Sequence, residues 1–245
     1  MSKKKLSSIL ITVIALAIYI GNNYENEINK FLTDYIFLEE TSAYEEVSYN
    51  IDEIPEYDGI SEYVVINNNE PFFNENDKKL SSFEKYSSLD SLGRCGVAYA
   101  NISIDLMPTK ERENIGMVKP SGWQTVKYDI VNGKYLYNRC HLIGFQLTGE
   151  NANEKNLITC TRQMNIGMML DVENEVADYI KKTKNHVLYR ATPIFKEDNL
   201  LASGVLIEAY SVEDNGEGIK FNIYVYNIQD GITINYATGE SRLTM

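Results

Sequence analysis

Between Tyr135 and Lys182 the hydrophobic period changes from alternation, through a polar interval, to a three-to-four repeat. That change commits the middle of the chain to strand, loop and helix in that order. Tyr135, Leu136 and Tyr137 are strand formers. A strand running on through Asn138, Arg139, Cys140 and His141 sends Arg139 and His141 to one face and Asn138 and Cys140 to the other. Arginine and histidine then stand ~7 Å apart at the backbone. A permanent positive charge at that range disfavours imidazolium, so His141 is expected neutral and able to take a proton near pH 7, as a general base must be.

Thr148 to Lys155 is polar and Asn-rich, a loop by composition. From about Arg162 to Lys182, Met169, Val172, Val176, Ala177 and Ile180 lie three to four apart and mark the buried stripe of a helix. Asn165 falls in its first turns and Glu173 two turns later. In a regular helix these two are ~12 Å apart along the axis and ~80° apart in rotation. They cannot both ligate one ion directly. Either one acts through water, or the helix is irregular around Gly167.

A histidine on a strand and an asparagine at a helix start, joined by a loop, resemble the ββα-metal site of the DNA/RNA non-specific endonucleases, in particular the streptococcal membrane-bound DNA-entry nucleases. The family signature Asp-Arg-Gly-His reads here as Asn138, Arg139, Cys140 and His141. The family's two asparagines and glutamate recur downstream at matching intervals as Asn156, Asn165 and Glu173. The resemblance implies an α+β domain whose catalytic helix packs on a mostly antiparallel sheet. It implies that His141 activates water, that Asn165 is the direct ligand of Mg²⁺ (Mn²⁺ as an alternative), and that Glu173 holds metal-bound waters. Arg139 and Asn156 would orient or stabilise the phosphate, and Arg94, in a Ser/Gly-rich loop after Tyr86, would be a second phosphate arginine. The substrate implied is DNA, with RNA as a second possibility, cut to leave 5′-phosphate ends. Mg²⁺ dehydrates reluctantly, so one amide ligand with an outer carboxylate is a chemically sound site. Asn138 replaces an ionised aspartate and loses any salt bridge from that position, and Cys140 replaces glycine.

Upstream, Met1 to Lys5 is basic and Leu6 to Ile20 contains no charge and no proline, the pattern of an export signal. Residues 1–21 are read as a signal peptide or, preferably, an uncleaved membrane anchor with the remainder outside the cell. Residues 22–58 carry eleven Asp or Glu against one Lys, so 22–56 reads as an acidic spacer. The endonuclease domain is placed at 57–245. Tyr63–Ile66, Val97–Ser103, Trp123–Ile130, His186–Tyr189, Gly204–Tyr210, Phe221–Ile228 and Ile232–Tyr236 read as strands, with Val131-Asn-Gly-Lys134 as a hairpin turn. His186 is expected at the surface.

The net charge of −12 opposes tight non-specific nucleic-acid binding, which needs basic surface. Together with Asn138 and Cys140 it motivates a second reading, an inactive membrane-tethered binding protein on the same fold. Three cysteines, Cys95, Cys140 and Cys160, allow at most one disulfide within the chain. A third reading is a thiol hydrolase using Cys140 or Cys160 with His186. Adjacent strand residues point apart, so a Cys140–His141 dyad is disfavoured.

Overall fold

The computed structural model describes residues 54–244. The expected export segment, and all but the last three residues of the acidic spacer, lie outside the described residues. Among the described residues no helix is long and apolar enough to cross a membrane.

Ten short strands and three helices follow in chain order. Strands β1 (Tyr63–Val65), β2 (Phe83–Tyr86) and β3 (Ala98–Ile102) precede β4 (Tyr137–His141). Helix α1 (Phe145–Thr148), strand β5 (Leu157–Thr161), helix α2 (Arg162–Ile166) and helix α3 (Met168–Thr183) come next. Strands β6 (Val187–Ile194), β7 (Gly204–Ser211), β8 (Lys220–Tyr226), β9 (Ile232–Ile234) and β10 (Ser241–Leu243) complete the described chain. Six strands form one sheet in the order β1-β8-β7-β6-β3-β2, and every neighbouring pair is antiparallel. The strand bearing His141 is not part of it: β4 pairs only with β5, in a separate antiparallel ribbon.

Alternation divides the main sheet. Ala98, Ala100 and Ile102 of β3, with Tyr189 and Ala191 of β6 and Val205, Ile207 and Ala209 of β7, face a core that the apolar stripe of α3 completes. All five expected stripe residues, Met169, Val172, Val176, Ala177 and Ile180, are buried there. Cys140, Leu142 and Ile143 from the β4 end, Ile158 and Cys160 from β5 and Met164 from α2 join the same core. The ribbon and the helix are thus fixed to one body by burial, at about 1.5–3 kcal/mol for each large apolar side chain.

The opposite sheet face carries a buried ion pair. Arg190 donates from Nε to Glu208 Oε2 at 2.7 Å and from Nη2 to Oε1 at 3.0 Å, and Glu208 Oε1 also accepts the Phe72 N–H at 2.7 Å. The guanidinium lies over the Phe73 and Tyr99 rings. Residues 72–73 are thereby clamped across the sheet.

Three differences from the sequence reading have local causes. Trp123–Ile130 is not a strand: its one ladder contact is the bridge Lys127↔Tyr135, and regular pairing of the site strand starts only at Tyr137. Trp123, Val126 and Tyr128 instead pack on a second cluster with Leu136, Tyr137, Leu201 and Ile232. The tight turn after Val131 is present, with Gly133 and Lys134 both at positive φ. Leu157–Thr161 is a buried strand that the polar loop before it and the helix after it concealed. Phe83–Tyr86 is an edge strand whose Glu84 and Lys85 break the apolar signal.

Candidate active site

The β4–β5 register sets His141 opposite Leu157, Arg139 opposite Thr159 and Asn138 opposite Cys160. Cys140 and Cys160 join diagonally across the ribbon in a disulfide, with their Cα atoms 5.8 Å apart. Just before β5, Asn156 is completely buried. Its Oδ1 accepts the Ile143 N–H at 2.9 Å and its Nδ2 donates to the Ile143 carbonyl at 3.0 Å, while its own carbonyl accepts from Leu142 N at 2.9 Å. Asn156 therefore holds the exit of the histidine strand. A direct phosphate contact, as expected from the sequence, finds no free and accessible amide atom.

His141 is 7% exposed. Its Nε2 lies 2.8 Å from the Asn151 carbonyl, which can only accept, so Nε2 carries the proton and Nδ1 keeps its lone pair. Burial lowers the imidazole pKa to about 4 against the partial support of that hydrogen bond, and the Arg112 charge lowers it further. The imidazole is held neutral, as expected from the sequence, but burial comes first among the causes and the contributing cation is Arg112 rather than Arg139.

Arg112 is the residue the sequence reading passed over. It is exposed, and its charge acts on both His141 and Glu173. Its loop is tied to the base through Asn151, whose Oδ1 accepts the Glu113 N–H at 3.2 Å while its carbonyl holds His141. Within Pro108–Gly122, Arg112 stood among Lys110, Glu111 and Glu113 with no periodicity to mark it.

Glu173 projects from α3 against Gly144, three residues beyond the histidine. Any Cβ at Gly144 would collide with the Glu173 carboxyl, which explains the glycine. Burial pushes that carboxyl up to about 8, partly offset by Gln146 and by Arg112. A carboxyl so placed gains from a cation.

The helix is irregular at Gly167, one of the two alternatives that the Asn165–Glu173 spacing left open. Helix α2 ends at Ile166, Gly167 has φ −91° and ψ −125°, and α3 starts at Met168. A Cβ on Gly167 would lie 2.6 Å from a Glu62 carboxylate oxygen and 2.8 Å from the Gln163 carbonyl, so the break needs glycine. Asn165 is the fourth residue of α2, whose N-cap Thr161 accepts from Met164 N at 3.1 Å, and the Asn165 side chain points back to the ribbon. Its Oδ1 rests 3.1 Å from Cys140 Sγ.

The two expected phosphate arginines are both engaged. Arg139 donates from Nε to the Val118 carbonyl and from Nη2 to the Gly116 carbonyl at 2.8 Å, and lies 3.9 Å from the Trp123 ring centroid. Arg94 bonds Asp90 Oδ2 at 2.7 Å and the carbonyls of Glu197 and Asn199 at 2.6 and 3.0 Å. The structure thus gathers His141, Glu173 and Arg112 into one electrostatic neighbourhood, sets Asn165 beside the residue preceding the base, and uses Asn156, Arg139 and Arg94 to hold backbone.

The donor set suits a hard cation that keeps most of its water: one amide oxygen, a carboxyl disfavoured without a positive neighbour, and no cluster of three His, Cys, Asp or Glu among the described residues. The state of the cysteines disfavours thiol chemistry. Cys140 and Cys160 are bonded to each other, and the Cys95 thiol donates to the carbonyls of Glu154 and Leu157 at 3.2 Å each. Burial pushes that thiol up to about 12. His186 pairs with Glu213 at 2.7 Å.

A β-ribbon carrying His141, followed by one helix that bears Asn165 and a second that bears Glu173, has the strand, strand and helix order of a ββα site. The model of the DNA/RNA non-specific endonuclease family matches residues 74–213, more than half of the chain, and the chain belongs to that family. A deoxyribonuclease from Streptococcus dysgalactiae subsp. equisimilis is 34% identical over 110 residues, 43% of this chain and 32% of the relative, so the match spans about a third of that protein. NucA from Streptococcus agalactiae with magnesium ion bound superposes with a TM-score of 0.68 at 24% identity, over 79% of this chain and 92% of that one. The Sda1 nuclease with bound zinc ion gives 0.63 at 26% identity, over 80% and 100%.

Proposed function

We propose that this protein is an extracellular, metal-dependent and sequence-indifferent endonuclease, held at the membrane by its N-terminal segment, that hydrolyses DNA and, as a second substrate, RNA, leaving 5′-phosphate ends. The observation that carries the reading is the state of His141: buried and held neutral, with Nε2 committed to the Asn151 carbonyl, so that Nδ1 is the ring atom left with a lone pair to accept a proton.

In this reading Asn165 would hold Mg²⁺, or Mn²⁺ in its place, through Oδ1, and Glu173 would support it from the outer shell through its carboxylate. When bound, the ion supplies Lewis-acid stabilisation of charge at the leaving oxygen. Arg112, rather than Arg94 or Arg139, is the arginine available to a substrate phosphate, being exposed and acting on both site residues. Asn156 and Arg139 position the base strand and the loop that faces it. Contacts made to phosphate and ion, and not to base edges, account for indifference to sequence. An overall charge of −12 is compatible with turnover, because only the site itself needs positive potential.

The test is nicking of supercoiled plasmid by the purified protein with Mg²⁺ and with Mg²⁺ plus excess EDTA, followed by end-labelling of the product. Metal-dependent relaxation and linearisation with 5′-phosphate ends is the expected result. Absence of cleavage by folded protein across several divalent metals would overturn the reading in favour of a binding module on the same fold.

A further inference from the structure

Cys140 Sγ touches the oxygen of Asn165 that the reading above assigns to the metal, at 3.1 Å, and the same sulfur is bonded to Cys160 on the neighbouring strand. We propose that oxidation of Cys140 and Cys160 licenses metal binding: the disulfide leaves Asn165 Oδ1 free for the ion, whereas the reduced Cys140 thiol occupies it. The proposal rests on the assignment of Asn165 as metal ligand.

The chemistry lies in one proton. A disulfide sulfur carries none, so Asn165 Oδ1 keeps its lone pairs for a cation. Once the S–S bond is broken the two sulfurs must separate, and a Cys140 thiol that stays beside Asn165 is a weak S–H donor with Asn165 Oδ1 as its neighbouring acceptor. Both cysteines are fully buried in the main core, where water is not at hand as an alternative partner. Cys160 stands two residues before the start of α2 and Cys140 one residue before His141. The bond therefore also spans the two strands that carry the base and lead into the ligand-bearing helix.

Oxidation requires an acceptor for two electrons, supplied by a disulfide-containing donor. One cysteine thiolate attacks a donor sulfur and displaces a donor thiolate, giving a mixed disulfide. The second cysteine thiolate then attacks the protein sulfur of that mixed disulfide and releases the second donor thiolate. Two protein thiols become one disulfide, the donor disulfide becomes two thiols, and the two protons leave with them or to solvent. In a reducing compartment the protein holds two thiols and binds metal weakly, and after export it closes the bond. A nuclease built this way is restrained while it shares a compartment with the cell's own nucleic acid.

The experiment uses the full chain, unfolded and refolded either with dithiothreitol or with glutathione disulfide, and reads Mn²⁺ binding by loss of the free-ion electron paramagnetic resonance signal. Plasmid nicking is followed in parallel, and far-UV circular dichroism checks the fold. Reduced protein should bind Mn²⁺ about tenfold more weakly, the scale of one displaced hydrogen bond. Two variants separate donor from staple. Cys140→Ser with Cys160→Ala keeps a donor and should bind as weakly as reduced protein; Cys140→Ala with Cys160→Ala has none and should bind more tightly than the serine variant, with no response to reductant. Equal affinity of reduced and oxidised wild type, or equal weakness of both variants, overturns the proposal. Folded, oxidised wild type that neither binds Mn²⁺ nor cuts DNA overturns the nuclease reading itself.

Discussion

Asn138→Asp should stabilise the protein, although it adds a negative charge to an acidic chain. Asn138 Oδ1 accepts from Arg162 Nη1 at 3.3 Å, a long bond, while Asn138 Nδ2 and Arg162 Nε are both buried without a partner. An amide offers the guanidinium one acceptor, and a carboxylate offers two in the geometry that a bidentate pair needs. The substitution removes one orphaned donor and satisfies another with a charge-assisted bond of about 1.5–3 kcal/mol. Burying the carboxylate cancels part of this, but the unpaired arginine charge is already in place. The net gain at pH 7 should be about 1–2 kcal/mol, which in a domain of this size raises Tm by roughly 2–8 °C. The arginine holds the new carboxyl below its ordinary pKa. The gain is therefore complete above the unfolded value near ~4, and is lost as pH falls through the lower folded value. Calorimetric melts at pH 7 and pH 3, with Arg162→Met alone and combined, complete the double-mutant cycle. A neutral or negative shift at pH 7, or a gain that survives Arg162→Met, would refute the argument.

His141 binds its proton less well folded, at about 4, than unfolded, at 6.5. Stability should be independent of this group above pH 6.5 and fall by about 3 kcal/mol as pH drops towards 4; comparing urea midpoints of wild type and His141→Gln across that window checks it. Asn156→Ala leaves the Ile143 N–H and carbonyl buried without partners and should cost about 2–4 kcal/mol, seen as a lowered Tm rather than as selective loss of phosphate affinity. Cys95, buried with its thiol pushed up to about 12, should resist iodoacetamide in the native protein. Mass spectrometry showing rapid labelling without unfolding would contradict this.

Helix α3 was legible because its apolar stripe repeats cleanly, and all five residues named from spacing are buried. The break at Gly167 was legible as one of two alternatives, since straight-helix geometry could not bring Asn165 and Glu173 to one ion. The ribbon was only half visible: β5 repeats no pattern because all five of its residues are buried, so neither face is polar. Arg112 could not be found from spacing, because a loop places side chains by hydrogen bonds such as Glu113 N to Asn151 Oδ1 rather than by any period. The same limit misled the reading of Arg139 and Arg94. A sequence shows a permanent charge but not the carbonyls that already engage it.

The claim at the centre of this account is that His141 Nδ1 takes the proton from the attacking water. The measurement that tests it most directly is single-turnover cleavage of plasmid DNA with Mg²⁺ by wild type and His141→Ala at equal Mn²⁺ affinity. A fall of at least about a hundredfold in rate, the usual scale for loss of a general base, is the predicted result. Cleavage by the variant within a few-fold of wild type would contradict it and move the base elsewhere.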